Sequence, residues 1–204
     1  MILQARDAAR RFGDQHVFSG LDLDVAAGQH LLLSGANGSG KSTLLRCLAG
    51  TLALSSGSVM VDGLPAGSRR ARARIGLCLR PEQAFQLRLS GHDNLLFAAR
   101  LRLPRRLVGE AVDAIEDELG ITHFAGERVQ RYSSGMRALV ACARAMIGGP
   151  SLLLLDEPTR SLDAAARRRL WTALHRRSVA CVLASHRGSD RDHCDRVLEL
   201  PVLR

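Results

Sequence analysis

Gly35-Ala36-Asn37-Gly38-Ser39-Gly40-Lys41-Ser42 has the pattern G-x-x-x-x-G-K-[ST], and its surroundings make it a phosphate cradle. The apolar run Leu31-Leu32-Leu33 in front of it reads as a buried strand. Thr43-Leu44-Leu45-Arg46-Cys47-Leu48-Ala49 behind it reads as a helix. In that setting the backbone N–H groups from Gly35 to Thr43 converge on the α- and β-phosphates of a nucleotide. Lys41 reaches the β- and γ-phosphates, and the Ser42 hydroxyl ligates Mg2+. The helix that begins near Lys41 adds its positive dipole end. Lys41 is also the single lysine among 29 basic residues, so 29 − 1 = 28 are arginine. Keeping a slim ammonium at this one position suits a phosphate reached as a point charge, not gripped by a planar fork.

Working outward, Leu31–Leu33, Ile75–Leu79, Leu152–Leu155 and Val179–Ala184 are near-continuous apolar runs, as expected of a parallel sheet covered on both faces. Ile2–Ala5, Leu21–Val25 and Val59–Val61 are short, glycine-bounded runs and predict an antiparallel layer near the N-terminus. Leu107, Val108, Ala111, Val112, Ile115 and Leu119 repeat at helical spacing, with the acidic Glu110, Asp113, Glu116 and Asp117 elsewhere on the helix than this apolar stripe. The expected fold is α/β: a P-loop NTPase core with a mostly parallel central sheet, an N-terminal antiparallel β layer and a helical insertion over about residues 85–147. At 204 residues and 46% hydrophobic content, one domain over 1–204 is expected.

Composition narrows the classes. The longest apolar runs fall short of the ~20 residues that cross a bilayer, and the N-terminus enters strand-like sequence without the regions of a signal peptide. A cytoplasmic location is expected. Cys47, Cys78, Cys142, Cys181 and Cys194 form no C-x-x-C pair and read as reduced core residues. His193-Cys194, flanked by Asp192 and Asp195, fits no ligand spacing and reads as a solvated turn. The net charge of +9 would suit an anionic partner, but the arginines are spread along the chain and aromatics are only 3%, which leaves few platforms for stacking bases.

Leu152-Leu153-Leu154-Leu155-Asp156-Glu157-Pro158 places two carboxylates at a strand exit, where Asp156 can hold Mg2+ and Glu157 can face an attacking water. Four further stretches follow in a telling order. Tyr132-Ser133-Ser134-Gly135-Met136 begins 156 − 133 = 23 residues before Asp156, counting from Ser133; Ser161-Leu162-Asp163 and Ser185-His186 come after it, and Phe12 lies near the start. With these motifs the whole chain resembles the nucleotide-binding subunits of ABC transporters. The resemblance makes Tyr132–Met136 the signature, Ser161–Asp163 the D-loop, His186 the switch histidine and Phe12 the aromatic that stacks on adenine.

It further implies an ATPase in which Lys41, Ser42 and Asp156 bind MgATP, Glu157 is the general base and His186 senses the γ-phosphate. Two subunits would pack head to tail, so that Ser133 and Gly135 act in trans on ATP held by the partner's Gly35–Thr43 loop. Separate transmembrane permease subunits would hold the chain to the cytoplasmic face of the membrane, and no nucleic-acid partner is implied. The segment Leu87–Phe97 and the approach Thr159–Asp163 resemble export-type members; a short haem-exporter-like subunit is another form of that reading. The alternatives are a soluble ABC ATPase acting on ribosomes or DNA, favoured by the charge, and a small P-loop kinase, which leaves the signature and His186 without a role. The sequence departs from the family at Ser134 and Met136, where glycine and glutamine are usual. It departs again at Arg80, where the Q-loop glutamine is due and Glu82 or Gln83 stands nearby.

Overall fold

The computed structural model describes residues 1–79 and 85–202. The chain opens with a hairpin, β1 (Leu3–Phe12) and β2 (Gln15–Val25), antiparallel from Leu3↔Val25 to Phe12↔Gln15. It then runs through β3 (His30–Ser34), α1 (Lys41–Leu48), β4 (Ser56–Val61), β5 (Leu64–Pro65), α2 (Arg69–Ala73) and β6 (Ile75–Cys78). Four helices follow: α3 (Gly91–Arg100), α4 (Val108–Leu119), α5 (Thr122–Ala125) and α6 (Ser134–Met146). The chain returns to the sheet with β7 (Leu152–Asp156), α7 (Ala164–Arg176), β8 (Ala180–Ala184) and β9 (Arg196–Glu199). The antiparallel layer has the order β2-β1-β4-β5, and the second sheet is parallel throughout in the order β6-β7-β8-β3-β9.

The two-residue side-chain period explains why the central strands are apolar without a break. Leu31, Leu33, Leu152, Leu154 and Val182 turn toward α1 and the antiparallel layer, whereas Leu32, Leu153, Leu155, Cys181 and Leu183 turn toward the helices. Both faces are buried, so neither can be polar. Truncating a wholly buried side chain such as Leu154 to Ala would cost about 2–5 kcal/mol. β1 and β2 are longer than the expected runs, because Arg6 and Arg11 on the hairpin's outer face hid strand residues behind polar letters.

α3, α6 and α7 each start on a side-chain oxygen. Ser90, Ser133 and Asp163 accept the N–H groups of Asp93, Met136 and Ala166 at 3.0, 3.2 and 2.8 Å, caps worth about 1 kcal/mol each. One residue departs from the expected helical pattern. Glu116, expected off the apolar stripe, lies four residues beyond Val112 and three before Leu119, and is buried with them. The His193–Asp195 turn is likewise held in place: His193 stacks on Trp171 with centroids 4.6 Å apart, and Asp195 accepts the His30 N–H at 2.7 Å.

Candidate active site

In an all-parallel sheet every strand leaves at the same edge, and ligands bind outside that edge. Here β3 leads into Gly35–Lys41, β7 ends on Asp156 and β8 delivers Ser185-His186. Because β8 lies between β7 and β3, three segments far apart in sequence open onto one cavity of about 480 Å3.

The glycine loop is shaped by its own backbone. Gly40 caps α1 in the left-handed region (φ 92°, ψ 7°), which turns the chain so that α1 points its N-terminus into the cavity. Lys41 Nζ donates to the carbonyls of Gly35 and Ala36 at 2.7 and 2.9 Å. Burial holds its ammonium below the ordinary lysine pKa, while Glu157 and Asp156 act in the opposite direction. The Ser39 side chain is buried and its hydroxyl has no hydrogen-bond partner. Ser42 Oγ donates to Asp156 Oδ2 at 2.6 Å, which joins residues 114 positions apart at the head of α1.

Glu157 sits at φ 50°, a left-handed conformation that costs a non-glycine residue about 1 kcal/mol or more. Its N–H donates to the Ala184 carbonyl at 2.9 Å, which pins it to the end of β8. Burial raises the pKa of its carboxyl, against a lowering contribution from His186. His186 Nε2 stands 3.6 Å from Glu157 Oε1.

Of the residues expected here, Asn37, Gly38, Gly40, Lys41, Ser42, Thr43, Asp156, Glu157 and His186 line the cavity. Gly35, Ala36 and Ser39 shape the loop beneath it. Phe12 lies outside the lining: it is half exposed at the end of β1, with the Arg10 guanidinium 4.3 Å from its ring centre, and Gln15 and Val17 of β2 hold the corresponding wall. Ser133 and Gly135 are also outside the lining, where Ser134 and Ala138 of α6 stand. Gly135 instead meets the D-loop, because a Cβ there would lie 2.7 Å from the Ser161 carbonyl oxygen. Arg80, Glu82 and Gln83 fall outside the described residues.

Sequence reasoning gave no site role to Gln15, Val17, Ala138, Arg160 or Asp190. Arg160 lines the cavity beside Glu157, together with Ser161 of the expected D-loop. Asp190, wholly buried, accepts the hydroxyls of Thr159 and Ser185 on Oδ2 at 2.5 and 2.6 Å, and so braces the segments that carry Glu157 and His186. Arg160 sits next to recognised motifs and was open to inspection. Asp190 lies in a short 3-10 turn whose letters carry no period, and nothing in the sequence marks it.

A phosphate-cradling loop joined to an acidic strand exit on a parallel sheet defines a P-loop nucleotide-binding fold. The sequence profile of the ABC transporter family matches residues 18–160, and the chain belongs to that family. It is 32% identical over 206 residues to the Nod factor export ATP-binding protein I of Rhizobium meliloti (strain 1021), a match covering 98% of this chain and 62% of that protein. It is 38% identical over 192 residues to the aliphatic sulfonates import ATP-binding protein SsuB of Ralstonia nicotianae, covering 90% of this chain and 63% of that protein. The chain thus spans under two thirds of the length of these relatives. Among solved structures, the ATP-binding subunit of an ABC transporter superposes with a TM-score of 0.90 at 21% identity, covering 99% of this chain and 88% of the other. The cbiO1 protein of Clostridium perfringens, described as part of the ABC transporter complex cbiONQ, superposes at 0.83 with 27% identity, covering 100% and 87%.

Proposed function

We propose that this chain is the ATP-binding and ATP-hydrolysing subunit of an ABC transporter, a single nucleotide-binding domain with a helical subdomain over about 85–147. The 2.6 Å contact between Ser42 and Asp156 carries the reading, since it unites the phosphate loop with the acidic strand exit at one point. The hydroxyl and carboxylate are hard oxygen donors side by side, which suits Mg2+. Bound there by Ser42 and Asp156, Mg2+ would supply positive charge against the phosphates.

The chain's own groups supply the rest. Lys41 Nζ exchanges its two loop carbonyls for β- and γ-phosphate oxygens, and α1 presents N–H groups to the same anion. Glu157 takes the proton of the attacking water, a role served by a raised pKa that brings its basicity nearer to neutrality. His186, 3.6 Å from Glu157, meets the γ-phosphate from the end of β8. Ser133 and Gly135 reach the nucleotide of a second subunit, which agrees with their place outside this chain's own cavity.

A permease subunit docks on the helical subdomain. Leu87, Leu89, Phe97 and Leu101 remain exposed there, whereas Phe85 packs partly against the helical core. No described helix is long and apolar enough to cross a membrane, which fits a chain held at the membrane by partners. Relatives of both the export and the import type match this chain. Leu87–Phe97 and Thr159–Asp163 favour export.

The test is Glu157→Gln with ATP and Mg2+. The variant should bind nucleotide, hydrolyse it at least about a hundredfold more slowly and elute as a dimer. Wild-type turnover in that variant would remove Glu157 from its role. Loss of binding in both Glu157→Gln and Lys41→Ala, with folding intact, is the pattern that separates a defective nucleotide site from a defective base.

A further inference from the structure

Glu116 is a buried carboxylate in a chain rich in arginine, yet no arginine or lysine bridges to it among the described residues. Its side chain is 6% exposed, and its one ion-pair partner is His92, with Nδ1 2.9 Å from Oε1. Removing a carboxylate from water is costly unless a full positive charge meets it, and a neutral imidazole supplies a hydrogen bond without charge. Asp113 adds a second carboxylate one turn earlier on α4. The ligand atoms of His92, Asp113 and Glu116 all lie within 4.8 Å of one another.

Two packed helices therefore bring one imidazole nitrogen and two carboxylate oxygens close enough for a small side-chain adjustment to close them on one ion. His92 comes from the first turn of α3, and the i, i+3 pair from α4. Zinc accepts this donor set, with bonds of about 2.0–2.2 Å and a tetrahedral preference that leaves one position for water. Glu116 is the anchored ligand, His92 is half-buried, and Asp113 is exposed and free to swing inward, which leaves the fourth position on the solvent side. Ions that demand six or more oxygen ligands fit poorly here.

We propose that His92, Asp113 and Glu116 form a divalent-cation site, with zinc as the fitting ion, that clamps α3 to α4. None of the three lines the nucleotide cavity, so the site is separate from the one for MgATP. It is nevertheless connected to α6. Gly91, next to His92, donates its N–H to the Tyr132 hydroxyl at 3.1 Å, and Tyr132 precedes Ser133, the cap of α6.

The experiment uses the full chain without an affinity tag, stripped with chelator and free of nucleotide. Zn2+ is titrated by calorimetry, and Co2+ is followed by visible absorption. We expect one saturable equivalent, a Co2+ spectrum of a nitrogen–oxygen four-coordinate centre, and affinity at least about tenfold above that for Mg2+. His92→Gln and Asp113→Asn each weaken Zn2+ binding by about tenfold or more. Asp156→Asn and Cys194→Ser leave the equivalent in place, which separates this site from the nucleotide pocket and from the thiols. Both ligand substitutions lie at partly exposed positions, and unchanged metal-free melting shows that the fold is retained. No saturable Zn2+ binding in the wild-type chain, or an equivalent that survives in the His92→Gln/Asp113→Asn double variant, overturns the site and leaves His92–Glu116 a plain ion pair.

Discussion

Replacing Tyr132 by Phe removes one oxygen and leaves the ring. That oxygen is buried: it accepts the Gly91 N–H at 3.1 Å and donates to the Phe124 carbonyl at 2.9 Å, with the Ala125 carbonyl at 3.3 Å. The edge-on contact with Phe124, with centroids 5.2 Å apart, needs no hydroxyl and persists. The loss is therefore polar. Gly91 N–H keeps the Glu127 carbonyl at 3.2 Å, and the Phe124 carbonyl keeps the Glu127 N–H at 2.9 Å, so neither group is stranded. Two net hydrogen bonds at about 0.5–1.5 kcal/mol each give a destabilisation of about 1–3 kcal/mol. For a chain of this size that is a fall in Tm of about 2–12 °C. Burial pushes the phenol up to about 12, so its ionisation does not enter at neutral pH. Urea unfolding followed by Trp171, the single tryptophan, should show a lower midpoint with an unchanged slope. ATP affinity should stay within about twofold, because Tyr132 is outside the cavity. A destabilisation below about 0.5 kcal/mol would refute the assignment of both hydrogen bonds as net stabilising.

Lys41→Ala should lower ATP turnover by about a hundredfold or more with the melting temperature little changed, as measured by phosphate release and calorimetry. His30 is buried, and desolvation first, then His175, holds its pKa below the ordinary 6.5. As pH falls the unfolded chain takes up this proton before the folded one. Stability is therefore full above about pH 6.5 and declines as pH drops toward the lower folded value, and urea midpoints from about pH 8 to about pH 5 should lose part of that decline in His30→Gln. Phe97→Asp, on the exposed face of α3 one turn before Leu101, should abolish co-purification with the proposed permease subunit while nucleotide affinity stays within about twofold.

Strands buried on both faces and loops with fixed spacing were legible in the sequence because each states its requirement locally. Leu152–Leu155 needs no partner to read as a central strand, and Gly35–Ser42 carries its geometry in its glycines. The walls of the cavity were not legible for the opposite reason. Gln15 and Val17 reach it from β2, and Ser134 and Ala138 from α6, through packing that no window of sequence contains. Glu116 shows the same limit on a helix, where counting acidic letters put it off the apolar stripe and the 3.6-residue turn put it on that stripe. Phe12 follows the family position in sequence, yet its ring lies under Arg10.

If two subunits pair head to tail as proposed, Asp190 has a consequence that reaches beyond one of them. Its Oδ2 holds the hydroxyls of Thr159, two residues beyond Glu157, and Ser185, one residue before His186, so the two segments share a single strut. In the proposed head-to-tail pair, a nucleotide that drew His186 inward would load the same oxygen as a neighbouring subunit that pressed on Ser161–Asp163. Thermodynamic linkage would make their effects equal: whatever factor the nucleotide added to the neighbour's hold, the neighbour would add to the nucleotide's. One carboxylate oxygen would then join the pull on His186 to the pressure on Ser161–Asp163, a route separate from any direct contact between nucleotide and neighbour.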